Sequence, residues 1–184
     1  MDEDAPEEFL LTVGRLRATR LRPEVVLEEV PAPQRIAPHA VALTADVVLD
    51  GDEVSTGRFV LLHDPAGQEA WEGRYRCVTY VRATLEPELG ADPMLGQVGW
   101  SWLEEAIASA GARVTALGGT VTRVVSDSFG SLAVRPPTVE LEVRASWTPL
   151  DDPVAHLQAW AALLCTVAGM PPLPQGVAPL ARRR

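Results

Sequence analysis

The stretch Arg74-Tyr75-Arg76-Cys77-Val78-Thr79-Tyr80-Val81-Arg82-Ala83-Thr84-Leu85-Glu86 alternates with a period of two. Tyr75, Cys77, Thr79, Val81, Ala83 and Leu85 fall on one side, and Arg74, Arg76, Tyr80, Arg82 and Glu86 on the other. A helix would scatter both sets around its axis, whereas an extended chain segregates them, so the segment reads as a strand with one apolar and one charged face. Strands of that kind belong to antiparallel sheets, because parallel sheets are covered on both faces and carry near-continuous apolar runs.

The same alternation recurs on either side. From His39 to Leu49, Val41, Leu43, Ala45, Val47 and Leu49 oppose Ala42, Thr44, Asp46 and Val48, and the Asp50-Gly51 turn returns the chain through Arg58 to Leu62 as a hairpin. Val25 to Val30 is a short strand, after which Pro31, Pro33 and Pro38 forbid regular pairing. A loop is expected from His63 to Gly73. Val114 to Ser126 reads as a strand interrupted at Gly118-Gly119, where a bulge or a close backbone approach is expected, and Val139 to Trp147 alternates again. Helical spacing appears three times. Phe9, Val13 and Leu16 recur within residues 6–20, behind a start capped by Asp4. A second helix is placed at about 99–110; Asp92-Pro93 offers an earlier start, but Gly96 and Gly99 favour the later one, where Ser101-Trp102-Leu103-Glu104 fits a capping box. The third follows Asp152-Pro153, with Val154, Leu157, Trp160, Ala161 and Leu164 on one stripe, and stops at Gly169. The expected fold is therefore α+β: an antiparallel sheet of about six strands with helices packed on one face, in the order α-β-β-β-β-α-β-β-α. Residues 1–169 read as a single domain and 170–184 as a Pro-rich, Arg-ended tail. That element order resembles the fold of small dimeric secretion chaperones with one strand added, a likeness of fold that says little about role.

Composition narrows the chemistry. All 16 basic side chains are Arg, with no Lys and no Asn anywhere and Ile only at Ile36 and Ile107. This is the mark of a high-GC genome, and it excludes lysine-based catalysis and the lysine of a phosphate-binding loop. A net charge of −9 disfavours general nucleic-acid binding. No apolar run approaches the roughly 18 residues of a membrane span, and the acidic N-terminus carries no secretory signal, so the cytoplasm is the expected compartment. Cys77 and Cys165 lie in apolar surroundings without metal-ligand spacing and read as core residues.

Five groups of residues, Leu21-Arg22-Pro23-Glu24, Pro31-Ala32-Pro33-Gln34-Arg35, His63-Asp64-Pro65-Ala66-Gly67-Gln68-Glu69-Ala70-Trp71, Gly99-Trp100-Ser101-Trp102-Leu103 and Leu117-Gly118-Gly119-Thr120-Val121-Thr122, resemble the domain-of-unknown-function family 3000 over about residues 7–170. The resemblance implies an actinobacterial origin, which the codon signature fits, and a shared fold. It carries no catalytic residue, metal or cofactor onto this chain.

Three constellations remain as candidates. His63, Asp64 and Glu69 place an imidazole beside carboxylates in one loop, an arrangement suited to acid–base work, although Asp64-Pro65-Ala66-Gly67 is also ordinary turn chemistry. Arg74, Arg76, Arg82 and Arg144, with Arg58 and Arg123 if register permits, could converge on the charged sheet face as an anion site or be neutralised there by Asp46, Glu86, Glu140 and Glu142. Trp71 and Trp100 flank a loop and a helix start and are candidate surface aromatics, whereas Trp102, Trp147 and Trp160 sit on apolar stripes. The sequence thus reads first as a non-enzymatic binding or adaptor module acting through protein–protein contacts, expected as a homodimer, through the loops of Trp71 and Trp100 or an open sheet edge. The alternatives are an RNA or anionic-ligand binder on the Arg face and an enzyme centred on residues 63–72. No cofactor, metal, DNA or membrane partner is expected.

Overall fold

The computed structural model describes residues 5–172; the expected Asp4 cap and most of the Arg-ended tail lie outside the described residues. The elements run α1 (Glu7–Ala18), β1 (Val25–Val30), β2 (His39–Leu49), β3 (Asp52–Gln68), β4 (Gly73–Leu85), α2 (Leu95–Ser109), β5 (Val114–Ser126), β6 (Thr138–Pro149) and α3 (Pro153–Val167). This is the α+β order read from the alternation. The six strands form one antiparallel sheet in the order β1-β2-β3-β4-β6-β5, so β6 sits between β4 and β5, and β1 and β5 are the edges.

Register carries the apolar residues of neighbouring strands into common rows. Leu43, Phe59, Thr79 and Ala145 form one row, and Val41, Leu61, Cys77 and Trp147 the next. The helices cover that face with Phe9, Val13 and Leu16 from α1, Leu103 and Ile107 from α2, and Leu157, Trp160 and Leu164 from α3. On the opposite face a small apolar cluster of Ala42, Val60 and Leu62 is buried beneath Ala32 and Ala37 of the Pro-rich segment and Trp71, and Thr148 is buried there too. Cys77 and Cys165 are free and buried in the main core, and burial pushes the Cys165 thiol up to about 11.

Three expectations shift. The stretch from His63 to Gly73 is not simply a loop: β3 continues to Gln68, pairing His63 with Tyr75 and Gln68 with Gly73 across an irregularity. Pro65 falls inside that irregularity, where its missing N–H breaks no ladder bond. The second helix starts at Leu95, well before 99, because the Asp92 side chain accepts from Met94 N (2.8 Å) and Gly99 is needed inside the helix. A Cβ on Gly99 would lie 3.1 Å from Val121 and 3.4 Å from Leu141, so its absence lets α2 sit down on β5 and β6. Ser101 makes no capping box; its hydroxyl donates to Val98 O (2.8 Å). In β5 the register breaks between Thr115 and Gly118, and it is Ala116 that takes a positive φ of 49°, while Gly119 supplies the close approach. A Cβ on Gly119 would stand 2.2 Å from Arg144 O.

Two glycines should separate intrinsic propensity from packing. A Cβ added to Gly14, exposed in α1, would meet nothing within 4 Å, whereas a Cβ on Gly57 would lie 2.6 Å from Tyr80 O and 3.0 Å from the Trp160 ring. Urea unfolding should show Gly14→Ala stabilising by about 0.5–1 kcal/mol and Gly57→Ala destabilising by about 1–3 kcal/mol.

Candidate functional site

The outward sheet face was the largest candidate. Four arginines share it, and each has an internal partner. Arg82 pairs with Glu140 (2.5 Å), and Arg144 with Glu142 (3.1 Å) while its guanidinium lies 5.0 Å from the Tyr80 ring centre. Tyr80 Oη also donates to Glu142 (3.0 Å), and these contacts, the Arg144 hydrogen bond foremost, hold the Glu142 carboxyl below its usual range. Arg76, half-buried, donates to Ser146 Oγ (2.7 Å), Ala116 O (2.9 Å) and Thr148 Oγ1 (3.2 Å). Arg58 donates to Pro31 O (3.1 Å) and so ties down the Pro-rich segment. Arg74 turns away at the strand end to meet Glu8 of α1 (3.3 Å). Arg123 lies opposite Leu141, on the helix-covered face, and donates to Asp92 O (2.6 Å). The six therefore do not gather as one free cluster.

His63, Asp64 and Glu69 diverge. His63 points beneath α1, 1% exposed, stacked between Phe9 (ring centres 5.5 Å apart) and Tyr75 (4.3 Å), with His39 5.9 Å away. Neither of its ring nitrogens has a hydrogen-bond partner. Asp64 instead closes the local turn, accepting from Ala66 N (3.0 Å) and Gln68 Nε2 (3.1 Å), and Glu69 is exposed on a short 3-10 turn. Trp71 is half-buried on the small outer cluster, its carbonyl accepting from the Thr148 hydroxyl. Trp100 is half-buried against the main core.

An open groove of about 700 Å³ lies between α1 and the β6–α3 connection, over Tyr75 and Thr12. Its rim charges are already matched, Arg15 with Asp152 (2.7 Å) and Arg74 with Glu8. Behind it a buried chain of bonds went unread in the sequence: Trp147 Nε1 donates to His156 Nδ1 (2.9 Å), and His156 Nε2 meets Asp151 Oδ1 (2.7 Å). Asp151 also accepts from Arg113 N (2.9 Å). With Nδ1 accepting, the imidazole is neutral and donates through Nε2, which seats the start of α3 on β6. The signal available was His156 four residues into a helix whose stripe otherwise faces the core.

A family model described as a protein of unknown function, DUF3000, matches residues 5–178. The chain belongs to this family. No curated protein and no solved structure matches. Among the described residues no helix is long and apolar enough to cross a membrane.

Among the described residues of this DUF3000 chain, the end of β5 and the loop that follows it expose several large apolar side chains close together in the chain. Val124 and Val125 are 40% and 49% exposed at the end of β5, and Phe129, Leu132 and Val134 are 80%, 45% and 92% exposed just beyond. Sequence reasoning passed over these residues as a strand end and a loop. The readable clue was three large apolar side chains in a segment bounded by Asp127 and Pro136 that no periodicity places in a core.

The buried histidines set a pH response. Burial pushes both His63 and His156 below the ordinary 6.5, for His156 against the opposing pull of Asp151. The unfolded chain takes up these protons as pH drops below about 6.5 while the folded protein resists, so stability is complete above that pH and declines beneath it, by up to about 1.4 kcal/mol per pH unit for each group. The urea midpoint should be flat from pH 7 to 8 and fall between 6.5 and 5.5, with His63→Phe removing part of the slope; a midpoint unchanged down to pH 5.5 would contradict this.

Proposed function

We propose that this protein is a non-enzymatic binding module acting through protein–protein contacts made by the β5 edge and the adjoining 127–135 loop. The observation that carries the reading is the run of exposed apolar side chains along the end of β5 and the loop after it, Val124 opposite Glu140 on the outer face, Val125 opposite Val139 on the other, and Phe129, Leu132 and Val134 just beyond. Large apolar side chains exposed singly are ordinary, but five within eleven residues beside an open sheet edge point to a contact surface. Phe129 supplies the kind of aromatic anchor that interfaces favour.

The engagement of the other candidates supports the same reading. An anion site on the sheet face would first have to displace Glu140 from Arg82 and Glu142 from Arg144. An acid–base site would need His63 to face a carboxylate or a solvent-filled pocket, whereas Phe9 and Tyr75 cover its ring.

Affinity purification of the tagged chain from its native host tests the reading. A protein, either an untagged copy or a different chain, should be recovered in fixed stoichiometry and lost when Phe129→Ser and Val134→Asp are combined, with no change in the melting temperature. Recovery of the wild-type chain alone would overturn it.

A further inference from the structure

The two edges of the sheet are treated differently. β1 is short, carries Glu28 and Glu29, and runs straight into Pro31 and Pro33, which are the devices by which natural sheets prevent strand addition. β5 has 13 residues, with no Pro, no Asp and no Glu, in a chain that holds 25 acids. Its one charged side chain, Arg123, is drawn back to Asp92 O. Beyond its pairing with β6 and the contact of Arg113 O with Leu150 N just ahead of it, no backbone partner is found for this edge among the described residues.

We propose that the β5 edge pairs antiparallel with the β5 edge of a second copy of this chain, forming a twelve-stranded sheet across a two-fold axis. The proposal rests on the reading of this edge as the contact surface and names its occupant. The self-complementary sequence of the edge selects the occupant, and charge does not oppose it there. Each copy carries −9, so two copies repel over most of their surface, and the acid-free edge is where that repulsion opposes contact least. The sequence there is also self-complementary. With Thr122 opposite its own counterpart, Arg123 faces Val121, Val124 faces Thr120 and Val125 faces Gly119, so no like charges are opposed and β-branched side chains meet across the seam. Residues of equal parity then pair, which keeps both helix layers on the same side of the joined sheet. The contact is isologous and closes after two copies, so an unguarded edge need not lead to fibres.

Cysteine scanning reads the register directly, because Cys77 and Cys165 are buried and only an introduced surface thiol will react. Directly opposed residues of an antiparallel pair are close enough for a disulfide. Under mild oxidation Thr122→Cys should give a covalent dimer, whereas Thr84→Cys, also exposed but on an interior strand, should not. Sedimentation of the purified full chain from about 1 to 100 μM should show a dimer, and Val124→Glu should weaken it at least tenfold at an unchanged melting temperature. A wild-type chain that sediments as a monomer throughout, or a dimer that neither cross-links at residue 122 nor responds to Val124→Glu, overturns the proposal. If that monomer still recovers a different chain from the host through the same edge, the binding-module reading stands and only the second copy is lost as its occupant; if nothing is recovered, both readings fall.

Discussion

The fold depends on how closely α3 lies against the centre of the sheet. Gly57 has no side chain where the Trp160 ring and Leu164 descend, and Trp160 Nε1 uses that approach to donate to Tyr80 O (3.1 Å) while Ser55 Oγ donates to Leu164 O (2.9 Å). Two hydrogen bonds thus tie the helix to β3 and β4 through groups that would otherwise be buried without partners. Trp147 and His156 make the equivalent tie at the helix start. With α3 fixed at both points, α2 packs beside it over β5 and β6, and α1 closes the far end over His63 and Tyr75. The helix layer covers β5 at Val121 but leaves Val124 and Val125 at its end 40% and 49% exposed.

Most of the architecture was legible because alternation reports directly on which face of a strand is buried. The assignment of β4 needed only the contrast between Tyr75, Cys77, Thr79 and Val81 and the arginines between them. Boundaries were harder where two local rules opposed one another. Gly96 and Gly99 argue against a helix on propensity, yet α2 runs through both because close packing on Val121 and Leu141 outweighs a cost of about 1 kcal/mol per glycine. Pro65 and Gly67 argue for a loop, and Gly67 does take a positive φ of 77°, yet the strand pairing resumes at Gln68 because Asp64 supplies the bonds of the intervening turn locally.

The site was far less legible than the fold. Sequence alone shows which ionisable residues are neighbours in the chain, but the pleat sends adjacent residues to opposite faces, and so His63 and Asp64 part company at once. Arginines at every second position did share a face, as alternation requires. Their partners are scattered along the chain, Glu140 of β6 for Arg82, Ser146 and Thr148 of β6 for Arg76 and Glu8 of α1 for Arg74, and no local pattern reveals which of them each arginine takes. The β5 edge was legible in principle, since an absence of acids over thirteen residues is visible in the letters, but its meaning appears only once strand order places it at the end of the sheet, with no second strand beside it among the described residues.

The position of β6 between β4 and β5 also has a consequence for synthesis. Leu85 pairs with Val139 and Cys77 with Trp147, so when β1 to β4 have left the ribosome β4 is itself an edge, and it stays one until β6 emerges. During that interval the arginines at 74, 76 and 82 are the charged guards that an exposed strand requires. Later Glu140, Ser146 and Thr148 arrive on β6 and take up two of them, Arg82 and Arg76, while Arg74 goes to Glu8 of α1. The charged row on β4 thereby serves first to keep nascent chains apart and afterwards to join the two halves of the sheet.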